Sequence, residues 1–118
     1  MVYAASNPAL AVLEVRVHLD VPPGLIPDDY VLLAIELNEA TVETLEEMPA
    51  SSAAFGDAWL DARRSAALQV PSAIVLECPN ILLNPRHGDA AGFKIARTRH
   101  FEFDRRLWLP RDRQAASS

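Results

Sequence analysis

Glu14 has the position that most needs a chemical explanation. Leu10, Leu13, Glu14 and Val17 follow i, i+3, i+4, i+7 spacing, so the four share one face of a helix and a carboxylate sits in an apolar stripe. Burying an ionised carboxylate costs on the order of several kcal/mol unless it is paired or hydrogen-bonded, so Glu14 needs either a partner or a task. His18, four residues on, is within reach as a partner, and a functional role is the alternative. A second cluster is R-S-A-A-L-Q-V-P-S-A-I-V-L-E-C-P-N-I-L-L-N-P-R-H, residues 64–87. Pro71 breaks a strand there just before Ser72, whose hydroxyl can contact a ligand or satisfy a turn.

Other chemistries find little support. No G-x-S-x-G elbow is present for a serine hydrolase. Cys78, His18, His87 and His100 are scattered without ligand spacing, so no metal is expected. Gly24, Gly56, Gly88 and Gly92 do not form a phosphate-cradling loop. Trp59 and Trp108 read as packing residues rather than stacking platforms.

The elements that must position these groups follow from pattern. Val-Tyr-Ala-Ala opens as a short strand, and Asn7-Pro8 reads as an N-cap with proline at the first helical position. A helix is expected over 8–19, apolar on most sides and so enclosed by other elements. A largely buried strand is expected over 30–37, a short acidic helix over 41–48 with Val42 and Leu45 inward, and a helix over 55–63 carrying Trp59. Residues 68–76 read as a strand interrupted by Pro71, 80–85 as a turn-rich connection, 87–91 as one helical turn, and 93–95 and 100–103 as two short strands. Residues 110–118 read as a polar, frayed tail. The sum is one α+β domain, a mixed sheet with flanking short helices.

Composition agrees with a single domain. At 118 residues and 50% apolar, one core suffices without staples, and Cys78 has no internal partner. No apolar run approaches the roughly 18 residues of a spanning helix, and the start lacks a secretion signal, so a soluble cytoplasmic protein is expected. The net charge of -5 hides an asymmetry. Residues 1–50 hold nine acidic side chains against one basic, and residues 91–118 three against seven. This balance argues against general nucleic-acid binding and fits either two complementary solvated faces or a docking surface for an acidic partner.

Four segments then carry a resemblance: V-Y-A-A-S-N-P-A-L-A-V-L-E-V-R-V-H-L at 2–19, G-D-A-W-L-D-A-R-R-S-A-A-L-Q-V-P-S-A-I-V at 56–75, N-I-L-L-N-P-R-H at 80–87, and F-E-F-D-R-R-L at 101–107. Together, and in order, they resemble the RES domain family over residues 1–109. That family supplies toxins of bacterial toxin–antitoxin pairs, with a fold similar to ADP-ribosyltransferase toxins. The resemblance implies NAD as substrate, cleavage of its nicotinamide–ribose bond, and passage of ADP-ribose to phosphate, water or a protein. It places the family glutamate on Glu14, the serine on Ser72 with Ser65 as second choice, and an active-site tyrosine on Tyr3. A fixed carboxylate would stabilise the developing ribose cation and grip a hydroxyl. Tyr3 would lie against a ring or bond the substrate, and Ser72 would orient the ribose or the nicotinamide amide.

The resemblance also implies a phosphate-binding arginine in a segment ahead of the strand on which Met1 opens, so Arg16, Arg63 and Arg64 are the candidates to replace it. The loss of that segment is expected to leave a strand edge unpaired. The implied partner is a helix-turn-helix antitoxin of the Xre type, which would itself contact the DNA; a homo-oligomer is compatible. The alternative function is an inactive remnant that only binds the antitoxin.

Overall fold

In the computed structural model, which describes residues 1–108, the apolar runs form six strands and two helices. These are β1 (Val2–Ala5), α1 (Pro8–His18), β2 (Tyr30–Glu36), β3 (Val42–Thr44), α2 (Ser52–Ala62), β4 (Ala67–Pro71), β5 (Pro79–Leu83) and β6 (Lys94–Phe101). One sheet has the order β1-β5-β4-β3, and β2 pairs with β6 in a separate ribbon. The α+β expectation holds. No helix among the described residues is long and apolar enough to cross a membrane.

The core lies where α2 packs on the four-stranded sheet. Trp59, Leu68, Val70 and Leu82 are buried together, with Leu45, Phe55 and Leu60 against them. Trp59 and Ser65 are 2% and 1% exposed, and the indole N–H donates to the Ser65 hydroxyl at 3.1 Å. That bond satisfies a donor that would otherwise be stranded away from water. The segment expected as an acidic helix at 41–48 is instead β3, parallel to β4 in the register Val42↔Ala67 and Thr44↔Gln69. Thr41, Val42 and Thr44 are β-branched and favour the pleated state, while Glu43 and the acidic residues that follow suit a short edge strand. With α2 between them, β3 and β4 make a crossover unit whose helix covers the sheet.

Residues 80–85 were expected as a turn, but β5 occupies 79–83 and is the central partner of both β1 and β4. The flanking Asn and Pro residues obscure a run, Ile81-Leu82-Leu83, that needs only five positions. Strand β4 ends at Pro71, opposite Pro79 of β5. The backbone groups of this pair face outward, the Pro79 carbonyl taking the Ser6 N–H at 3.1 Å, so the two missing N–H groups are donors withheld from β1 and β3. The final two short strands are one continuous β6, paired with β2 and carrying an extra residue, Ala96, opposite the step from Ala34 to Ile35. Its polar stretch Arg97-Thr98-Arg99 is exposed on both faces, so burial leaves no pattern to read. The ribbon is exposed rather than largely buried: Val31, Leu33 and Ile95 all face water.

Helix α1 begins as expected, with the Asn7 side chain accepting from the Leu10 N–H at 2.8 Å and Pro8 in the first turn. It is not enclosed, since Leu10 is its one fully buried residue. The wide apolar coverage leaves Leu13, Val15 and Val17 exposed. An aromatic cluster anchors its far end. Phe103 meets Tyr30, Phe101 and Trp108 edge to face at 5.1, 5.0 and 5.7 Å, and the Arg16 guanidinium lies 4.0 Å over Trp108. The helical turn expected at 87–91 is a 3-10 turn, Gly88–Gly92. Its Asp89 accepts from the Thr41 N–H and hydroxyl, both at 3.1 Å, tying this turn to the start of β3. Those two bonds, the backbone one first, hold the Asp89 carboxyl below its ordinary value. The tail expected at 110–118 lies outside the described residues.

Replacing Ser65 with Ala strands the Trp59 N–H and is expected to lower unfolding free energy by about 1–3 kcal/mol, measured by chemical denaturation. For Asp89, the lowered carboxyl gives stability that is present above 3.8 and is lost as pH falls through the depressed native value. Asp89→Asn should therefore be less stable than the parent near neutrality, with the gap closing in acid. Thermal melts over a pH series check this, and a gap unchanged at acid pH would refute it.

Candidate active site

Glu14 projects from the middle of α1, half-buried, toward the end of the β4–β5 hairpin. One of its oxygens, Oε1, receives two donors: the Ser72 hydroxyl at 2.8 Å and the Asn80 Nδ2 at 3.1 Å. Ser72 immediately follows β4 and Asn80 lies in β5, so the two donors stand on either side of one connection. The proline break places Ser72 where the strand stops. There its oxygen accepts from the N–H groups of Ile74 and Val75, each at 3.1 Å, which folds the following residues into a turn.

Glu14 lines a cleft of about 640 Å³ between α1 and β1, whose walls include Tyr3, Ala5, Ala11, His18 and Asn80. Antiparallel pairing sets Tyr3 opposite Leu82 and Ala5 opposite Asn80, so alternation brings Tyr3, Ala5 and Asn80 to one face. Tyr3 is 75% exposed and its ring is available at the rim. Among the described residues no cation lies within ion-pairing distance of Glu14, and no group of three His, Cys, Asp or Glu side chains could hold a metal. A second cleft of about 420 Å³ beside Val2, Leu83 and Phe93 has one titratable side chain, His87, whose Nδ1 already accepts from the Asp89 N–H.

The structure thus brings Glu14 and Tyr3 to one cleft, with Ser72 buried behind the Glu14 carboxylate and off the cleft wall. It does not pair Glu14 with His18 through the carboxylate, because the His18 Nδ1 donates to the Glu14 backbone carbonyl at 2.7 Å, an interaction internal to the helix. Ser65 is separated from this site and spent on Trp59. The three arginines considered for phosphate are committed elsewhere or simply end an element. Arg16 stacks on Trp108 and donates to the Leu107 and Leu19 carbonyls, Arg64 pairs with Glu43 at 3.3 Å, and Arg63 closes α2 in a left-handed conformation. Asn80 was not singled out from the sequence. The signal was available, because a polar amide heading the run Ile81-Leu82-Leu83 raises the same question as a carboxylate in an apolar helix stripe.

The site can be set beside known proteins. The RES domain family model matches residues 1–106. A Sphingobium sp. (strain YBL2) protein named Prs ADP-ribosylating toxin is 40% identical, the alignment covering 91% of this chain and 74% of that protein. A Pseudomonas putida (strain KT2440) protein named Toxin Res is 38% identical over 92% of this chain and 79% of its own length. A Toxin Res of Yersinia enterocolitica is 33% identical over 73% of this chain. With the match running from β1 past the end of β6, and relatives alike over nine-tenths of the sequence, this chain belongs to the RES domain family.

Proposed function

We propose that this chain is the toxin of a bacterial toxin–antitoxin pair and that it cleaves the nicotinamide–ribose bond of NAD. The observation that carries the reading is the fixed Glu14 carboxylate on the wall of an open cleft, held by two neutral donors with no described cation beside it. Neutral donors restrain the group without cancelling its charge, so the field remains available for a cation developing nearby.

Cleavage creates such a cation. As the bond between the ring nitrogen and the ribose carbon breaks, its electron pair goes to nicotinamide, which leaves neutral, and positive charge passes to the sugar. Glu14 stabilises that oxocarbenium and accepts a hydrogen bond from a ribose hydroxyl. The acceptor, a phosphate, a water or a protein side chain, then bonds to the sugar carbon and gives up its proton where it carries one. The name of the Sphingobium relative favours transfer to a protein. Tyr3, at the rim, stacks on a ring of the dinucleotide.

Ser72 holds Glu14 rather than the ribose or the nicotinamide amide: its hydroxyl is 0% exposed and bonded on every side. In the same reading NAD is a substrate, no metal takes part, and an Xre-type antitoxin restrains the toxin in the cytoplasm.

Incubation of the protein with NAD and phosphate, following nicotinamide release, tests the reading. Glu14→Gln should reduce turnover by about 100-fold or more while thermal stability stays near that of the parent. Turnover unaffected by that change rejects the assignment. Loss of all turnover from the parent, with antitoxin still bound, assigns the chain the binding role alone.

A further inference from the structure

We infer that Asn80 is a second substrate contact: its side-chain oxygen and the open oxygen of Glu14 together take the vicinal hydroxyls of a ribose, while Ser72 acts only through Glu14. This rests on the proposed NAD cleavage and refines it.

The inference follows from counting donors and acceptors. An ionised carboxylate only accepts, so the Asn80 group facing Glu14 Oε1 at 3.1 Å is the NH₂, and the amide oxygen Oδ1 points away from it. Asn80 is half-buried on the cleft wall. Its Oδ1 has no partner among the described residues and is not sealed from solvent, the one sealed orphan among them being the Trp108 indole nitrogen. Glu14 Oε1 takes both donors, and Oε2 takes none among the described residues. What the wall offers a ligand here is therefore two open acceptors on residues that touch, Oε2 of Glu14 and Oδ1 of Asn80.

Two such acceptors select a ligand with two neighbouring donors. A vicinal diol carries two O–H groups on adjacent carbons, whereas a phosphate presents only acceptors and is repelled. Ser72 has nothing left to offer. Its one O–H goes to Glu14, its two lone pairs receive the Ile74 and Val75 N–H groups, and it is fully buried. It is a positioning residue, and so, through its NH₂, is Asn80; only the Asn80 oxygen reaches the substrate.

The test is steady-state nicotinamide release by the full chain with NAD and with analogues lacking the 2′- or the 3′-hydroxyl of the nicotinamide ribose. The parent should prefer NAD over at least one analogue by about tenfold in kcat/KM, the scale of one well-made hydrogen bond. Asn80→Ala should lose about tenfold or more on NAD, in KM through the lost hydroxyl contact and in kcat through the lost hold on Glu14, and its preference for that hydroxyl should fall toward unity. Ser72→Ala should lower kcat and keep the preference. In Asn80→Asp two carboxyl groups face each other and share a proton, so activity should return toward the parent at lower pH, where that proton replaces the amide donor. Glu14-dependent turnover with an undiminished hydroxyl preference in Asn80→Ala rejects the Asn80 contact alone. Nicotinamide release that is absent, or indifferent to Glu14, overturns this inference together with the reading beneath it.

Discussion

The bond from the Ser72 hydroxyl to Glu14 is the constraint on which the site depends. It joins the first helix to the end of a hairpin nearly sixty residues later, across a helix that is otherwise poorly covered. Only Leu10 of α1 is fully buried, so apolar packing does little to fix the rotation of the helix about its axis. A polar pin through Glu14, doubled by Asn80, supplies that restraint. Function and fold therefore meet in one carboxyl group: the contacts that orient the reactive oxygen also dock the element that carries it.

Each half of this arrangement depends on a different part of the chain. The hairpin is stiffened from below by the Trp59 core, which rests on β4 and β5 and takes its regularity from the parallel β3–α2–β4 crossover. The helix is held at its far end by the aromatic cluster, where Arg16 lies over Trp108. The cleft lies between these two supports, which explains how a small domain with a separate, exposed ribbon keeps a defined wall beside Glu14.

Much of this was legible beforehand, for physical reasons that differ by element. The cap of α1 and its carboxylate in an apolar stripe could be read because capping and helical periodicity are local. The break at Pro71 could be read because proline removes a donor wherever it stands. Residues 41–48 and 79–83 were misread because tertiary pairing decided them: β3 exists to flank β4, and β5 is a strand because it has neighbours on both sides. The tie between His18 and Glu14 failed as an ion pair because spacing on a helix does not say whether backbone or side chain is the closer acceptor. Asn80 escaped notice because it acts across the fold, through a partner 66 residues away.

The prolines at the end of the hairpin have a consequence for its two flanks. Pro71 and Pro79 stand opposite each other in a pair whose backbone groups face outward: the Pro79 carbonyl takes the Ser6 N–H at 3.1 Å, and Gln69, two residues before Pro71, takes the Leu45 N–H at 2.8 Å. Each proline therefore withholds a hydrogen from a neighbouring strand, Pro79 from β1 and Pro71 from β3. The outer strands lose a rung just where Ser72 and Asn80 hold the carboxylate, so that corner of the sheet is fastened by side chains where backbone bonds run out.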